Sequence, residues 1–384
     1  MPTLATDRCR LPAGRQDSAN SLPASPEGHA AKIIALIPAH NEADCIVTTL
    51  RSLRGQVPTP DEIIVVADNC TDDTVRLARE AGALVFETDG NTDKKAGALN
   101  QALDDVLPGL RPSDYVLVLD ADTIMVPGFL ATALAAATRD PLVGAVGGIF
   151  HGGVSTSLLE QAQCNEYARY AREIDRVQRV MVLTGTASLI RVEALRDIAA
   201  HRGTTLPGTP GDVYDRTALT EDMELPLALK ARKWFLLSPS ACQTVTQLMP
   251  DRGALHRQRV RWYRGALDNL KIYGMTDVTR RYWFQQVMLA LGAFAMSLYV
   301  AVTIADIVMG DIHVNLFWIA VGALFVLERV VTAWQAGKRG RWLALFLFPE
   351  VAYDLHLQWA FVRAVVAHMR GEQTAWHHLT PKES

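Results

Sequence analysis

Tyr115–Thr123 reads YVLVLDADT. Four apolar residues, Val116 to Leu119, run into Asp120, Ala121 and Asp122. The run is short and β-branched, the pattern of a buried parallel strand. Two carboxylates with one small residue between them emerge at its C-terminal end, where open α/β sheets bind ligands. Two anions there repel each other and lose hydration unless a cation sits between them. Oxygen-ligated Mg²⁺ or Mn²⁺, shared with substrate phosphates, suits such a place. A strand end followed by a capping aspartate has the same letters, so this stretch alone leaves both readings open.

Working outward, Lys32–Ile37 (KIIALI) reads as a first buried strand, followed by PAHNEAD and a helix around Cys45–Leu53. Glu62–Ala67 (EIIVVA) is a second strand ending at Asp68, then a helix from about Thr74 to Ala81 and a short strand at Ala83–Glu87. This β-α-β-α-β order predicts a doubly wound, mostly parallel sheet flanked by helices. No GxGxxG occurs, so a dinucleotide fold is not supported. The strand ends carry Asn41 and Glu42, then Asp68, then Asp120 and Asp122. Three strand ends each delivering a carboxylate to one crevice is more than capping requires. Between them, DKKAGALN (Asp93–Asn100) places Lys94 and Lys95 before a helix opening near Ala96, and a helix N-terminus beside a lysine makes an anion site.

Composition sets limits. At 384 residues the chain has room for about two domains. A net charge of −3 gives no basic field for nucleic acid. Five cysteines show no ligand-like spacing and read as buried or stray thiols. Residues 1–30, rich in Ser, Pro, Ala and Gly, lack an apolar signal-peptide core and read as a flexible tail.

IPAHNE, VVADNCTD, KKAGALN, LDADT, TGTASLIR, LTEDMEL and QRVRW occur in this order over about residues 32–270. The set resembles the membrane-bound family 2 glycosyltransferases, the group of cellulose, chitin, hyaluronan and poly-N-acetylglucosamine synthases. The resemblance implies a GT-A type domain over residues 31–250. It places Pro38, Ala39, Asn41 and Glu42 around the uridine of a UDP-sugar, Asp68 at the uracil, and Lys95 and Asp120 at the nucleotide. It gives Asp122, with Asp120, to the Mg²⁺ or Mn²⁺ on the diphosphate.

Val182–Arg191 (VLTGTASLIR) reads as a strand broken by Gly185, where a ligand or backbone can come close. The resemblance puts Gly185 and Thr186 beside the acceptor sugar. In LTEDMEL, Thr220 can cap a helix with Glu221 and Asp222 in its first turn. Acids at a helix start are ordinary. The resemblance instead makes Asp222 the general base on the acceptor hydroxyl, with Glu221 at the acceptor. Direct displacement then inverts an α-linked donor to a β-linkage.

Leu255–Tyr273 has helical period, with Trp262, Tyr263, Ala266, Leu267 and Leu270 as its apolar stripe. Arg257, Arg261, Arg264, Asp268 and Lys271 follow the other face. Residues 251–281 read as a basic amphipathic helix on a membrane surface. Gln258, Arg261 and Trp262 cluster at i, i+3 and i+4, and suit a diphosphate beside a sugar face. Arg259 falls toward the apolar side and its role stays open.

Residues 282–370 read as the membrane region. Trp283–Ile304 has spanning length, and Val314–Trp334 is a second candidate despite Glu328 and Arg329. Each of those charges costs about 2.5–3.5 kcal/mol at a bilayer centre, so both belong near its end or against protein. Arg280 and Arg281 precede the first span and Lys338, Arg339 and Arg341 follow the second, with no Lys or Arg between the spans. This predicts a multi-pass protein of the cell's inner membrane with its catalytic domain cytoplasmic. Trp342–His368 is interrupted by Pro349, Glu350, Asp354, His356 and Arg363 and is expected to be re-entrant or interfacial, returning residues 371–384 to the cytoplasm.

The expectation is a metal-dependent, inverting transfer from a UDP-sugar to a growing β-linked polysaccharide. Large synthases of this kind carry spans before the catalytic domain and none is visible here, so a polymer path calls for a homo-oligomer or an export partner. Single transfer to a lipid is the alternative enzyme. A non-catalytic nucleotide-sugar-binding membrane protein is the alternative of another class. A transporter is excluded by motifs that lie outside the membrane part.

Overall fold

The computed structural model describes residues 31–177, 180, 182–310 and 316–372. They form two compact units, one of residues 31–153 and 170–247, the other of residues 154–169 and 248–372.

In the first unit the order is β1 (Ile33–Ala39), α1 (Ile46–Arg54), β2 (Glu62–Ala67), α2 (Thr74–Glu80), β3 (Leu84–Glu87), α3 (Lys94–Val106) and β4 (Tyr115–Leu119). Then come β5 (Ile124–Met125), α4 (Phe129–Thr138), β6 (Val143–Gly147), β7 (Ile149–Gly152), α5 (Leu158–Val177), β8 (Ala187–Arg191), α6 (Val192–His201), α7 (Glu221–Ala231), β9 (Phe235–Leu237) and β10 (Gln243–Thr246). Helix α5 begins in the second unit and ends in the first.

The main sheet runs β3-β2-β1-β4-β8-β6-β9. β8 alone opposes its neighbours, so the sheet is mostly parallel, as the sequence predicted. A small second sheet pairs β5, β10 and β7. β4 is buried along its whole length. Its residues Tyr115, Leu117 and Leu119 join Ile33, Ala35 and Ile37 of β1, Leu50 and Leu53 of α1, and Phe129, Leu130 and Ala133 of α4 in one cluster. Each of the leucine, isoleucine and phenylalanine side chains among them contributes about 1.5–3 kcal/mol relative to exposure. The parallel register of β1 with β2 (Ala39 beside Ala67) and with β4 (Leu36 beside Val118) brings three strand ends to one sheet edge. Asn41, Glu42, Asp68, Asp120 and Asp122 follow those ends.

Two local expectations are corrected. The strand expected over Val182–Arg191 begins only at Ala187, and Gly185 lies in the turn before it. Thr220 stands at the N-cap of α7, but its side chain makes no cap hydrogen bond.

The second unit holds the start of α5 and α8 (Arg252–Tyr273), α9 (Arg280–Met309), α10 (Leu316–Thr332), α11 (Gly337–Leu345) and α12 (Leu347–Arg370). α8 opens three residues earlier than predicted because Asp251 caps it, accepting from Ala254 N at 2.9 Å. Arg264 was expected on the charged outer face but is buried, with its Nε 2.7 Å from Asp268. Its stem lies along the packed side of the helix while Asp268 neutralises its head.

α12 packs along α8. Tyr263 meets Phe361 edge-on at 5.4 Å, and His368 Nδ1 lies 2.6 Å from Asp268. α9 is long and apolar enough to cross a bilayer, at about 1.5 Å per residue over 30 residues. It exposes Leu291, Phe294, Leu298 and Ile304. α10 and the segment from Trp334 to Leu345 meet the same test only together, across a 57° bend. Arg329 faces protein, paired with Asp354 and 3.7 Å from Glu350. The start of the expected second span, Val314, and residues 373–384 lie outside the described residues.

Candidate active site

Lys95, in the first turn of α3, is the centre of the site. Its Nζ lies 2.6 Å from Asp120 Oδ1, after β4, and 2.9 Å from Glu221 Oε1, at the start of α7. Burial alone would lower its pKa, but the two carboxylates more than offset that and hold the ammonium charged, well above its ordinary value.

Gly185 closes the group. A Cβ there would sit 3.1 Å from Asp120 Oδ2, 3.3 Å from Lys95 Nζ and 3.6 Å from Asp222 Cβ. Four separate motifs therefore meet at one point. Lys95, Thr184, Gly185, Glu221 and Asp222 line one cavity of about 20 Å³, with Tyr214 beside them. Thr186 is set back, its hydroxyl 3.0 Å from that of Thr184 and 3.2 Å from that of Thr244.

Along the sheet edge, Asp68 is held by three donors to one oxygen. Asn69 Nδ2 (2.9 Å), Thr88 Oγ1 (2.9 Å) and Asn91 Nδ2 (2.8 Å) all reach Asp68 Oδ1. Asn91 Nδ2 also donates to Lys94 O at 2.8 Å, which ties Asp68 to the start of α3. The glycine of KKAG makes this possible, because a Cβ on Gly97 would come within 2.1 Å of Asn91 Oδ1. Asn41, Asn69 and Lys94 all have positive φ (58°, 50° and 56°). These left-handed residues turn the backbone sharply after β1 and β2 and at the start of α3. Asn41 Oδ1 accepts from Thr71 N at 2.7 Å, and Glu42 N donates to Thr74 Oγ1 at 2.7 Å. Pro38 and Ala39 end β1 in register with Val66 and Ala67.

The Asp122 carboxyl is pushed up to about 7, first by burial, then by the charges of Asp120 and Glu42. Glu42 is itself raised, by burial first and by Asp120 among others. This frustrated acidic edge fits a divalent cation, which would reverse the repulsion. No cluster of three or more His, Cys, Asp or Glu side chains poised for a metal occurs among the described residues. A cation shared with a diphosphate usually takes only one or two carboxylates from the protein.

Sequence reading missed Asn91, Thr88 and Tyr214. Asn100, the last residue of KKAGALN, accepts from Val213 N and Tyr214 N (3.1 and 2.9 Å) and donates to Tyr214 O (2.8 Å), which seats Tyr214 beneath Lys95. Tyr170 was missed too. Its hydroxyl is pushed up to about 12, by burial first and then by Asp222, and its ring lies 5.5 Å from that of Phe150.

Gln258, Arg261 and Trp262 stand half-buried on α8 of the second unit. Arg259, left open from sequence, is buried beneath them.

Residues 34–199 match the family description "Glycosyl transferase family 2". That match covers less than half of the chain, and the fold is of the GT-A type. It is 27% identical over 281 residues to the poly-beta-1,6-N-acetyl-D-glucosamine synthase of Staphylococcus aureus, covering 70% of this chain and 64% of that protein. To the synthase of the same name from Staphylococcus epidermidis it is 26% identical over 246 residues, covering 60% and 53%. The match thus spans less than two thirds of the length of these relatives. Among solved structures, the mannosyltransferase PcManGT from Pyrobaculum calidifontis, solved with GDP-Man and Mn²⁺, superposes with a TM-score of 0.59 at 18% identity over 92% of both chains. That likeness speaks to fold.

Proposed function

We propose that the protein moves a sugar from a UDP-sugar onto a growing β-linked polysaccharide, with N-acetylglucosamine as the first sugar to test. One observation carries the reading: Lys95, Asp120, Glu221 and Asp222 converge around Gly185. The choice of sugar rests on the similarity to the staphylococcal poly-beta-1,6-N-acetyl-D-glucosamine synthases.

In this reading Asp68 and the Pro38–Glu42 loop hold the uridine, and Lys95 and Asp120 flank the diphosphate. Glu221 holds Lys95 in place and borders the acceptor with Gly185 and Thr186. Gln258 and Arg261 take phosphate oxygens, and Trp262 stacks on the acceptor ring. Asp222 removes the proton from an acceptor hydroxyl as that oxygen attacks C1. The C1–O bond to UDP breaks, UDP leaves with the electron pair, and the configuration inverts. Positioned proton transfer of this kind supplies about 10²–10⁴-fold. Mg²⁺ or Mn²⁺ at Asp122, with Asp120 alongside, would offset the charge on the departing diphosphate.

We place α9 across the cell membrane and α8 and α12 at its cytoplasmic face, with the catalytic domain on the same side. Lipid contacts, and a second copy or an export partner for a polymer path, belong to this proposal. Single transfer to a lipid acceptor is the second reading. It is favoured by the small number of span-length helices among the described residues. Detergent-purified protein given UDP-N-acetylglucosamine and Mn²⁺ separates the two. A ladder of products by mass supports polymerisation, a single glycolipid supports the second reading, and sugar bound without release of UDP refutes both.

A further inference from the structure

Arg259 has less than 2% of its surface exposed, yet it stands inside the QRVRW segment between residues assigned to substrate. Its guanidinium meets a carboxylate, an amide and two aromatic rings. Nη2 donates to Glu166 Oε2 at 2.8 Å. Nη1 donates to Gln258 Oε1 at 2.6 Å. The guanidinium carbon lies 4.2 Å from the Trp262 ring centre. Tyr353 of α12 donates its hydroxyl to the same Glu166 oxygen. The Tyr167 ring lies on the same guanidinium at 5.8 Å.

Each contact fixes a property of a neighbour. With its oxygen taken by Arg259, the Gln258 amide has its NH₂ left for substrate acceptors such as phosphate oxygens. With one indole face taken by a guanidinium, a sugar ring can stack on Trp262 only from the other. The planar fork lets one cation meet a carboxylate, an amide and a ring together, which an ammonium cannot do. Glu166 neutralises the buried charge, and Tyr353 sets the angle of Glu166.

We infer that Arg259, anchored by Glu166 and Tyr353, is a positioning residue that sets the orientation of both the Gln258 amide and the Trp262 indole. Its consequence for catalysis rests on the substrate roles proposed above for those two residues. It also makes α12 part of the active machinery, because Tyr353 reaches the QRVRW segment through one shared oxygen.

The test uses the full chain in detergent, labelled with 5-fluorotryptophan. The Trp262 resonance is identified by its loss in Trp262→Phe. In Arg259→Met that resonance is expected to shift and broaden, with the acceptor KM raised about tenfold, the size of one cation–π contact. The UDP-sugar KM should rise as well, through Gln258, while kcat with both substrates saturating should change by less than about twofold. Arg259→Lys should restore part of the KM but not the line width. An unmoved resonance in Arg259→Met overturns the inference whatever the activity. A moved resonance with unchanged kinetics supports the positioning and sinks the substrate role of Trp262 instead. If Arg259→Met does not fold, Tyr353→Phe removes a single hydroxyl. A smaller shift of the same line is then expected, and no shift overturns the inference.

Discussion

Lys95 Nζ and Asp120 Oδ1 meet at 2.6 Å, although 25 residues separate them in sequence. Lys95 thereby bridges the DxD strand end and the TED helix through Asp120 and Glu221. Replacing it with methionine leaves two partly buried carboxylates facing each other. Breaking a fully buried pair costs about 3–5 kcal/mol, and the partial exposure of Asp120 lowers that figure here. Lys95→Met should therefore lower Tm by several degrees and raise the KM for the UDP-sugar about tenfold or more. Thermal melts and UDP-release kinetics check both; an unchanged donor KM would remove Lys95 from the nucleotide site.

Gly185 leaves no room for a side chain without moving the site. A methyl group would press on Asp120 Oδ2 at 3.1 Å and Lys95 Nζ at 3.3 Å. Gly185→Ala should lower kcat/KM by about 10- to 100-fold with little change in Tm, since small displacements of reacting groups are costly. Gly185→Val should abolish turnover. Full activity in Gly185→Ala would mean that catalysis does not depend on this close approach.

The raised Asp122 carboxyl has a definite sign. Its folded-state value of about 7 lies above the ordinary 3.8. The stability it contributes is complete below pH 3.8 and is lost as pH rises through 7. Metal-free protein should lose stability over that window, and Mn²⁺ should restore it. A cation at Asp122 competes with one proton, so the half-saturating Mn²⁺ concentration should rise about tenfold per pH unit below 7 and be flat above it. Mn²⁺ titrations of UDP release from pH 5.5 to 8.5 check this. A curve flat throughout, or the same slope in Asp122→Asn, would place the metal elsewhere.

Asn91 ties Asp68 to the start of α3. Asn91→Ala should cost about 1–3 kcal/mol of stability and weaken UDP binding more than acceptor use. Isothermal titration with UDP against acceptor KM makes the comparison; equal loss of both would deny Asp68 a nucleotide role.

β1, β2 and β4 were legible because each is an apolar run ending in a polar cluster, and Asp68, Asp120 and Asp122 follow directly from those ends, whereas the short strands β5, β6, β7, β9 and β10 were not read from the sequence. Asp222 and Glu221 could be placed only by resemblance, since acids in a first helical turn have an ordinary reading. Asn91 and Tyr214 were not legible, because loop side chains are placed by partners such as Gly97 and Asn100 and not by any period. The turn at Gly185 was mistaken for strand because its apolar flanks look alike in either state. Arg259 could be assigned to the apolar side of α8 by angle alone. Its carboxylate partner, Glu166, lies 93 residues away and left no local trace.

The decisive comparison is UDP release by the detergent-purified protein with Mn²⁺, across a panel of UDP-sugars, between the natural chain and Asp222→Asn. Metal-dependent release with one UDP-sugar and an acceptor is expected. In Asp222→Asn that release should fall by about 10²–10⁴-fold while UDP still binds. Equal release by both proteins, or none from either with any UDP-sugar, would contradict it.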